Sequence, residues 1–277
     1  MHVSLDSALG RQRRLNSVGE SVLQIAPNAA AAYSLRSLTG GDPKVVRVRR
    51  DTDGGAGDND EQDFTASGIS SGALVAFVGS GNDGFVETWY DQSGNSEDAV
   101  QETAGSQPKI VNAGDLVVLS GVPALSFDGS FFAATGFAFS PSGDFLAVTV
   151  SKISTGNLID TRDGGSDGFF IQQGSSDVRY RYNGDGSIDV SGNNQHIIST
   201  VELNGTTLTA YKDGSSAGTD TVTAGLSTTE ALSIGKVAFS SANTVSGSVQ
   251  EVILYATDKS ANRVALETNI NSHYSIF

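Results

Sequence analysis

Short apolar runs broken at close, regular intervals by turn dipeptides are the feature that most limits what this chain can fold into. Asn204-Gly205 joins two alternating segments, Asn183-Gly184-Asp185-Gly186 joins two more, and Lys212-Asp213-Gly214 closes a third pair. Asn-Gly and Asp-Gly supply the left-handed backbone that a two-residue hairpin loop needs. With 33 glycines in 277 residues, the composition favours many tight turns and hence many strands. The expected strands of the second half are 124–127, 145–152, 157–161, 168–172, 178–182, 187–190, 196–202, 206–211, 231–234 and 248–255. A short helix over 261–273 closes the chain. No fixed repeat is visible, which argues against a propeller or solenoid.

The first half is less regular. Residues 1–28 read as a basic arm that anchors or assembles, with a helix start at Ser4 to Leu9, a cluster of Arg11, Arg13 and Arg14, and a short strand at Val22 to Ile25. Residues 29–277 read as one domain. Val46 and Val48 share one face of a strand and Arg47 and Arg49 the other. Ser71 to Val78 reads as a short helix, and Phe85 to Tyr90 as a strand.

The net charge is −14, and it is uneven. Residues 1–50 hold eight basic and three acidic residues, which leaves −19 on the remainder. Such a body repels nucleic acid and anionic membranes. No stretch reaches the ~18 apolar residues of a membrane span, and Met1 to Ser17 lacks the apolar core of a signal peptide. The absence of cysteine points to a reducing compartment or to a prokaryotic or viral origin.

Several strings are more specific. Ala32-Tyr33-Ser34-Leu35-Arg36, Val46-Arg47-Val48-Arg49-Arg50 and Glu61-Gln62-Asp63-Phe64 form one group. Thr88-Trp89-Tyr90-Asp91-Gln92-Ser93-Gly94-Asn95 with Gln107-Pro108-Lys109-Ile110, and Pro123-Ala124-Leu125-Ser126-Phe127-Asp128-Gly129, form two others. Together they resemble the catalytic domain of α-L-arabinofuranosidase B (glycoside hydrolase family 54). They look even more like the laminin-G-like modules of phage and marine bacterial structural proteins. The resemblance implies an all-β fold: a two-sheet antiparallel jelly-roll sandwich, concanavalin A-like or laminin-G-like, with an N-terminal arm and a C-terminal helix.

It also implies function. The first reading is a non-catalytic virion or surface protein, such as a phage tail, fibre or capsid-decorating component. It would contact other virion proteins through the arm, form a homo-oligomer (a trimer by expectation), and display a glycan- or receptor-binding surface. The alternative is an arabinofuranosidase-like glycoside hydrolase. In that family the nucleophile is a Glu in an acidic segment after a buried strand. The matching place is 167–177, where Asp177 is the carboxyl at hand. The acid/base is an Asp after an Ile-Gly turn, and here Lys236 follows Ile234-Gly235. The family's vicinal cysteine pair is missing.

Two sets of residues are candidate sites on their own chemistry. Tyr180 and Tyr182 share one strand face and Arg179 and Arg181 the other; either face could hold a glycan, while the plainer reading puts the tyrosines in the core and the arginines in ion pairs. Asp51, Asp53, Asp58 and Asp60 crowd one loop and suggest calcium, a hard ion that wants several oxygens. Their spacing does not fit an EF-hand, and a solvated acidic loop is the simpler account. No other cofactor is implied. Asp91, Gln92 and Asn95 read as a structural corner held by Asx-type hydrogen bonds.

Overall fold

A computed structural model describes residues 19–277 apart from 165, 166, 224 and 227. The expected helix at Ser4 to Leu9 and the cluster Arg11, Arg13 and Arg14 lie outside the described residues. Among the described residues, twenty strands follow in chain order. The first eleven are β1 (Ala31–Ser34), β2 (Lys44–Asp51), β3 (Glu61–Thr65), β4 (Asp83–Trp89), β5 (Ala99–Val100), β6 (Lys109–Asn112), β7 (Asp115–Leu116), β8 (Val118–Leu119), β9 (Val122–Pro123), β10 (Leu125–Asp128) and β11 (Phe132–Ala134). The rest are β12 (Phe145–Asp160), β13 (Phe169–Gln173), β14 (Asp177–Tyr182), β15 (Gly186–Ser191), β16 (Ile197–Asn204), β17 (Thr207–Lys212), β18 (Ser215–Thr221), β19 (Leu232–Ile234) and β20 (Ser246–Tyr255). The helices are α1 (Val22–Ile25), α2 (Ala66–Ser70), α3 (Ala73–Val78) and α4 (Ser260–Tyr274).

The chain is all-β, but the expected two-sheet jelly-roll sandwich is not what forms. Hydrogen bonding runs from β12 to β20, β10, β6, β4, β5, β11 and β19 and returns to β12, closing an eight-strand barrel. The remaining strands of this sheet extend it, with β13, β14 and β15 on one part of β12 and β16, β17 and β18 on another. The reason lies in β12. The sequence reads a break at Ile153 to Gly156, whereas the strand runs through it with shifts of register against β20 and β13. A bulge bends a strand without ending it, so one ladder turns a corner that would otherwise separate two sheets. Gly156 makes this possible: its φ is +102°, and a Cβ there would lie 2.3 Å from the Thr244 carbonyl oxygen.

Alternation builds the interior. Along β14, Val178, Tyr180 and Tyr182 point inward while Arg179 and Arg181 point out. The Phe145 ring stacks on Tyr182 at 5.6 Å and meets Phe169 at 5.2 Å. Trp89 lies 5.7 Å from Tyr33 and 6.0 Å from Phe132. The first half of β12 is buried on both faces. Phe145 and Ala147 enter this core, while Leu146, Val148 and Val150 form a second cluster with Leu266, Ile270 and Tyr274 of α4. Those three sit at i, i+4 and i+8, one stripe of the helix.

Two departures are local. Val22 to Ile25 is a helical turn and not a strand, because Ser21 and Gln24 form a capping box: the Ser21 N–H donates to Gln24 Oε1 at 2.9 Å. Polar β18, which lacks an apolar alternation, pairs along β17.

The layer under α4 holds charge. Glu251 on β20 is fully buried and accepts from Arg36 Nε (2.8 Å), Arg36 Nη2 (3.1 Å), Ser34 Oγ (2.9 Å) and the Tyr274 hydroxyl (3.0 Å). Nearby, Glu202 of β16 and Glu267 of α4 share one arginine. Arg263 Nη1 donates to Glu267 at 2.5 Å, its Nε lies 4.0 Å from Glu202, and its guanidinium covers the Tyr211 ring at 3.7 Å. Burial pushes both glutamates up, and their mutual repulsion adds to this for Glu202.

Two outcomes follow from this architecture. Gly156→Ala should cost about 2–3 kcal/mol in urea unfolding, through a strained φ and a backbone clash. For the glutamates, a folded pKa above the unfolded one gives stability that is full below the ordinary value of 4.5 and fades as pH rises through the raised value. Glu202→Gln should therefore gain on the parent as pH climbs towards neutrality, by about 2 °C or more in thermal midpoint.

Candidate functional site

The candidate corner begins where β12 ends. Asp160 pairs with Phe170 of β13 on one side and Ser233 of β19 on the other, which buries it completely. A buried carboxylate needs partners for its lone pairs. Asn157 Nδ2 donates to its Oδ2 at 2.6 Å, the Arg162 N–H to its Oδ1 at 2.9 Å, and Arg162 Nε and Nη2 to the carboxylate at 3.1 and 2.5 Å. Gln172 Nε2 fixes Asn157 in turn through its Oδ1 at 2.9 Å.

Arg162 is held in place as a result. Its guanidinium carbon lies 3.7 Å from the Phe170 ring centroid and 5.7 Å from that of Phe239, whose side of the corner is exposed. Gly168 lets the chain pass close, since a Cβ there would meet Arg162 Cα at 2.8 Å. A cavity of about 410 Å³ opens beside these groups, lined by Arg162, Phe170, Arg181, Tyr182 and the glycine rim Gly168, Gly184 and Gly186. Lys236 stands near on the loop after β19. Its ammonium donates to the Ser240 carbonyl at 3.2 Å and lies over the Phe131 ring at 4.6 Å. Burial lowers its pKa, and the neighbouring charges of Asp160 and Glu230 oppose that.

Chemically, this corner presents cations on aromatic rings. Asp160 spends its oxygens on Asn157 and Arg162, so it orients the arginine and does not offer itself as a nucleophile. Asp177, the carboxyl pointed to by the sequence, sits at the opposite end of the β13–β14 hairpin and pairs with Arg179 at 2.8 Å.

The other sequence candidates are placed as follows. Tyr180 and Tyr182 are fully buried, and burial pushes both hydroxyls up to about 12. Arg181 pairs with Asp189 at 2.6 Å while lining the cavity. In the acidic loop, Asp58 accepts from the Thr52 N–H at 2.8 Å, Asp51 from the Asp53 N–H at 3.3 Å, and Asp60 pairs with Arg50 at 2.6 Å. The loop's own backbone N–H groups and Arg50 take up these oxygens. Among the described residues no group of three or more His, Asp or Glu side chains is placed to hold a metal ion. Sequence reading passed over Asp160 and Arg162, and met Phe170 and Lys236 only as neighbours of other motifs. The signal present was an Asp-x-Arg at a strand end, where a short loop can fold the arginine back onto the carboxylate.

The Tyr-Asp-Gln-Ser-Gly-Asn string is a tie between distant segments. Asp91 Oδ1 accepts from the N–H of Ala32 (2.8 Å) and of Ser93 (2.9 Å). Gln92 accepts from the Leu38 N–H at 2.8 Å and donates to the carbonyls of Ser34 (3.1 Å) and Arg36 (3.0 Å). Asn95 donates to the Ala29 and Ala30 carbonyls at 2.9 and 3.0 Å.

No protein-family model matches the chain, and no curated protein matches it by sequence. Solved structures do resemble it. A GH54 α-L-arabinofuranosidase soaked with a cyclic sulfate inhibitor superposes with a TM-score of 0.63 at 14% identity, covering 87% of this chain and 62% of that one. An arabinofuranosidase complexed with arabinofuranosyl-α-1,2-xylobiose gives 0.55 at 16% identity, with the same coverage. The binding domain of Paraclostridial Mosquitocidal Protein 1 gives 0.51 at 14% identity, over 68% of this chain and 50% of that one. The chain spans about three fifths of the length of the arabinofuranosidase structures, and at these identities the likeness is one of fold.

Gln92→Ala removes three buried hydrogen bonds and leaves their backbone partners unmet. It should cost about 2–4 kcal/mol by denaturant unfolding, well above the change from a surface glutamine.

Proposed function

We propose that the chain is a glycoside-directed protein that takes an acidic sugar into the corner formed by Arg162, Phe170 and Arg181. One observation carries the reading: the Arg162 guanidinium is locked by buried Asp160 and stacked on Phe170 at the mouth of a 410 Å³ cavity that Arg181 also lines. A planar guanidinium matches a carboxylate, and an aromatic face takes the apolar side of a sugar ring. Arg162 and Arg181 are each already paired with an aspartate, so what the corner offers an acid is guanidinium N–H donors held in place, on a chain whose net charge is −14. In a surface or virion setting, which the sequence resemblance implies, the corner would hold the protein to an acidic glycan coat.

A second reading is hydrolysis of an α-L-arabinofuranoside, and the specific support is the fold shared with arabinofuranosidases over 87% of the chain. Retaining hydrolysis needs two carboxyls about 5–5.5 Å apart across the scissile bond. The corner's cavity is instead lined by Arg162 and Arg181, and its buried acid is taken up by Arg162 and Asn157.

Calorimetric titration with an oligogalacturonide should show saturable binding that weakens with salt and falls at least about tenfold in Arg162→Ala. A neutral arabino-oligosaccharide should gain nothing from Arg162. In the same preparation, 4-nitrophenyl α-L-arabinofuranoside should release no nitrophenol; steady turnover with no affinity for the uronate would replace the first reading by the second.

A further inference from the structure

A cleft of about 650 Å³ lies between β10 and the β6–β7 hairpin, apart from the corner already described. Its floor follows from strand alternation. Leu125 and Phe127 of β10 enter the core, so Ser126 and Asp128 face out, and Ser126 stands opposite Lys109 of β6. Gly129, at φ +79°, turns the chain so that Ser130 continues the same wall.

The polar groups here are unequally used. Gln107 is spent as framework, accepting from Arg49 Nε at 2.8 Å and donating to the Gln101 carbonyl at 2.8 Å. Lys109 donates to Asp83 at 2.6 Å and to Asn112 at 3.1 Å, which leaves one of its three protons for another acceptor. Ser130 is 7% exposed, and its hydroxyl meets no partner among the described residues. That oxygen is sealed from the cleft, so Ser130 closes the wall and the accessible polar groups are those of Ser126, Asp128 and Lys109. The Phe85 ring forms one side, with Arg49 and Lys109 at 5.0 and 5.3 Å from its centroid, and Leu116 adds an apolar wall.

We propose that this cleft binds a neutral polyhydroxyl ligand, a short pentose or hexose oligosaccharide, between Phe85 and the pair Ser126 and Asp128. Vicinal hydroxyls both donate and accept, which is what a carboxylate, the Ser126 hydroxyl and one ammonium proton can answer together. An anion is disfavoured by Asp115 and Asp128 at the rim. A divalent cation is disfavoured by Lys109 and by the small number of acids. The volume lies within the usual range for a small-molecule site. This site does not rest on the Arg162 corner.

The test is titration of the full chain with xylotriose, followed by calorimetry and by backbone amide shifts. Saturable binding is expected that persists in Arg162→Ala, falls at least about tenfold in Asp128→Ala, and shifts the amides of 107–118 and 126–130. Asp128 is exposed, so its replacement should leave the fold and the circular dichroism spectrum unchanged; Ser126→Ala is a second, independent loss. Absence of saturable binding, or binding untouched by both substitutions, means that the cleft holds water only and overturns the proposal. Loss of binding in Arg162→Ala overturns it too, by assigning the sugar to the other corner.

Discussion

The pairing of β20 with β12 is the contact on which the other elements depend. Along one edge β20 follows β12 from Leu146 to Thr155, and along its other edge it carries β1 over Glu251 to Leu254 and β10 over Ser246 to Val249. Three segments far apart in sequence are thus fixed by one central strand. The register along β12 shifts near Val150 and again near Ile153, which is where the ladder bends. Gly247 sits in that bend with φ +144°, its α-carbon so close to the Lys152 carbonyl that no side chain fits. Curvature here comes from bulges and two glycines, and closure of the barrel follows from it.

Buried polar groups then give the closed sheet a single arrangement. Glu251 faces Arg36, Ser34 and Tyr274, so a charge on the central strand orients both β1 and the closing helix. Asp160 does the same at the other end, with Arg162 as its partner. Removing one member of such a pair leaves an uncompensated charge, which is far more harmful than replacing both. The two clusters are alike in access: Arg36 lines a cavity of about 500 Å³ beside α4, and Arg162 lines one of about 410 Å³.

Much of the local structure can be read in the sequence. The inward side chains of β14 and the Asn-Gly turn between β16 and β17 follow from alternation and turn chemistry alone. The closing helix is visible in Leu266, Ile270 and Tyr274. Closure was not visible, because it depends on brief bridges such as Ser126 to Lys109 and Ala133 to Val100, which leave no periodic trace. Strand β18, with the sequence Ser-Ser-Ala-Gly-Thr-Asp-Thr, has no apolar stripe and is recognised only by its partner. At the site, the alternation put Arg179 and Arg181 on the outer face, yet only three-dimensional proximity shows that Arg181 shares a cavity with Arg162. The cleft beside Ser130 was equally hidden, since the hairpin that walls it is two residues deep on one side.

The long stretch of chain that separates β20 from β1 and β10 has a consequence for biosynthesis. Until residues 246–255 leave the ribosome, β1, β10 and the long strand β12 have lost the neighbour that covers their edges. A ribosome adding about 5–20 residues per second needs on the order of ten seconds or more to travel from β1 to β20. Throughout that interval the growing polypeptide carries open, apolar ladders, and long-range pairing of this kind is intrinsically slow to form. Holdase chaperones should therefore matter more to the yield of this protein than to its stability once folded.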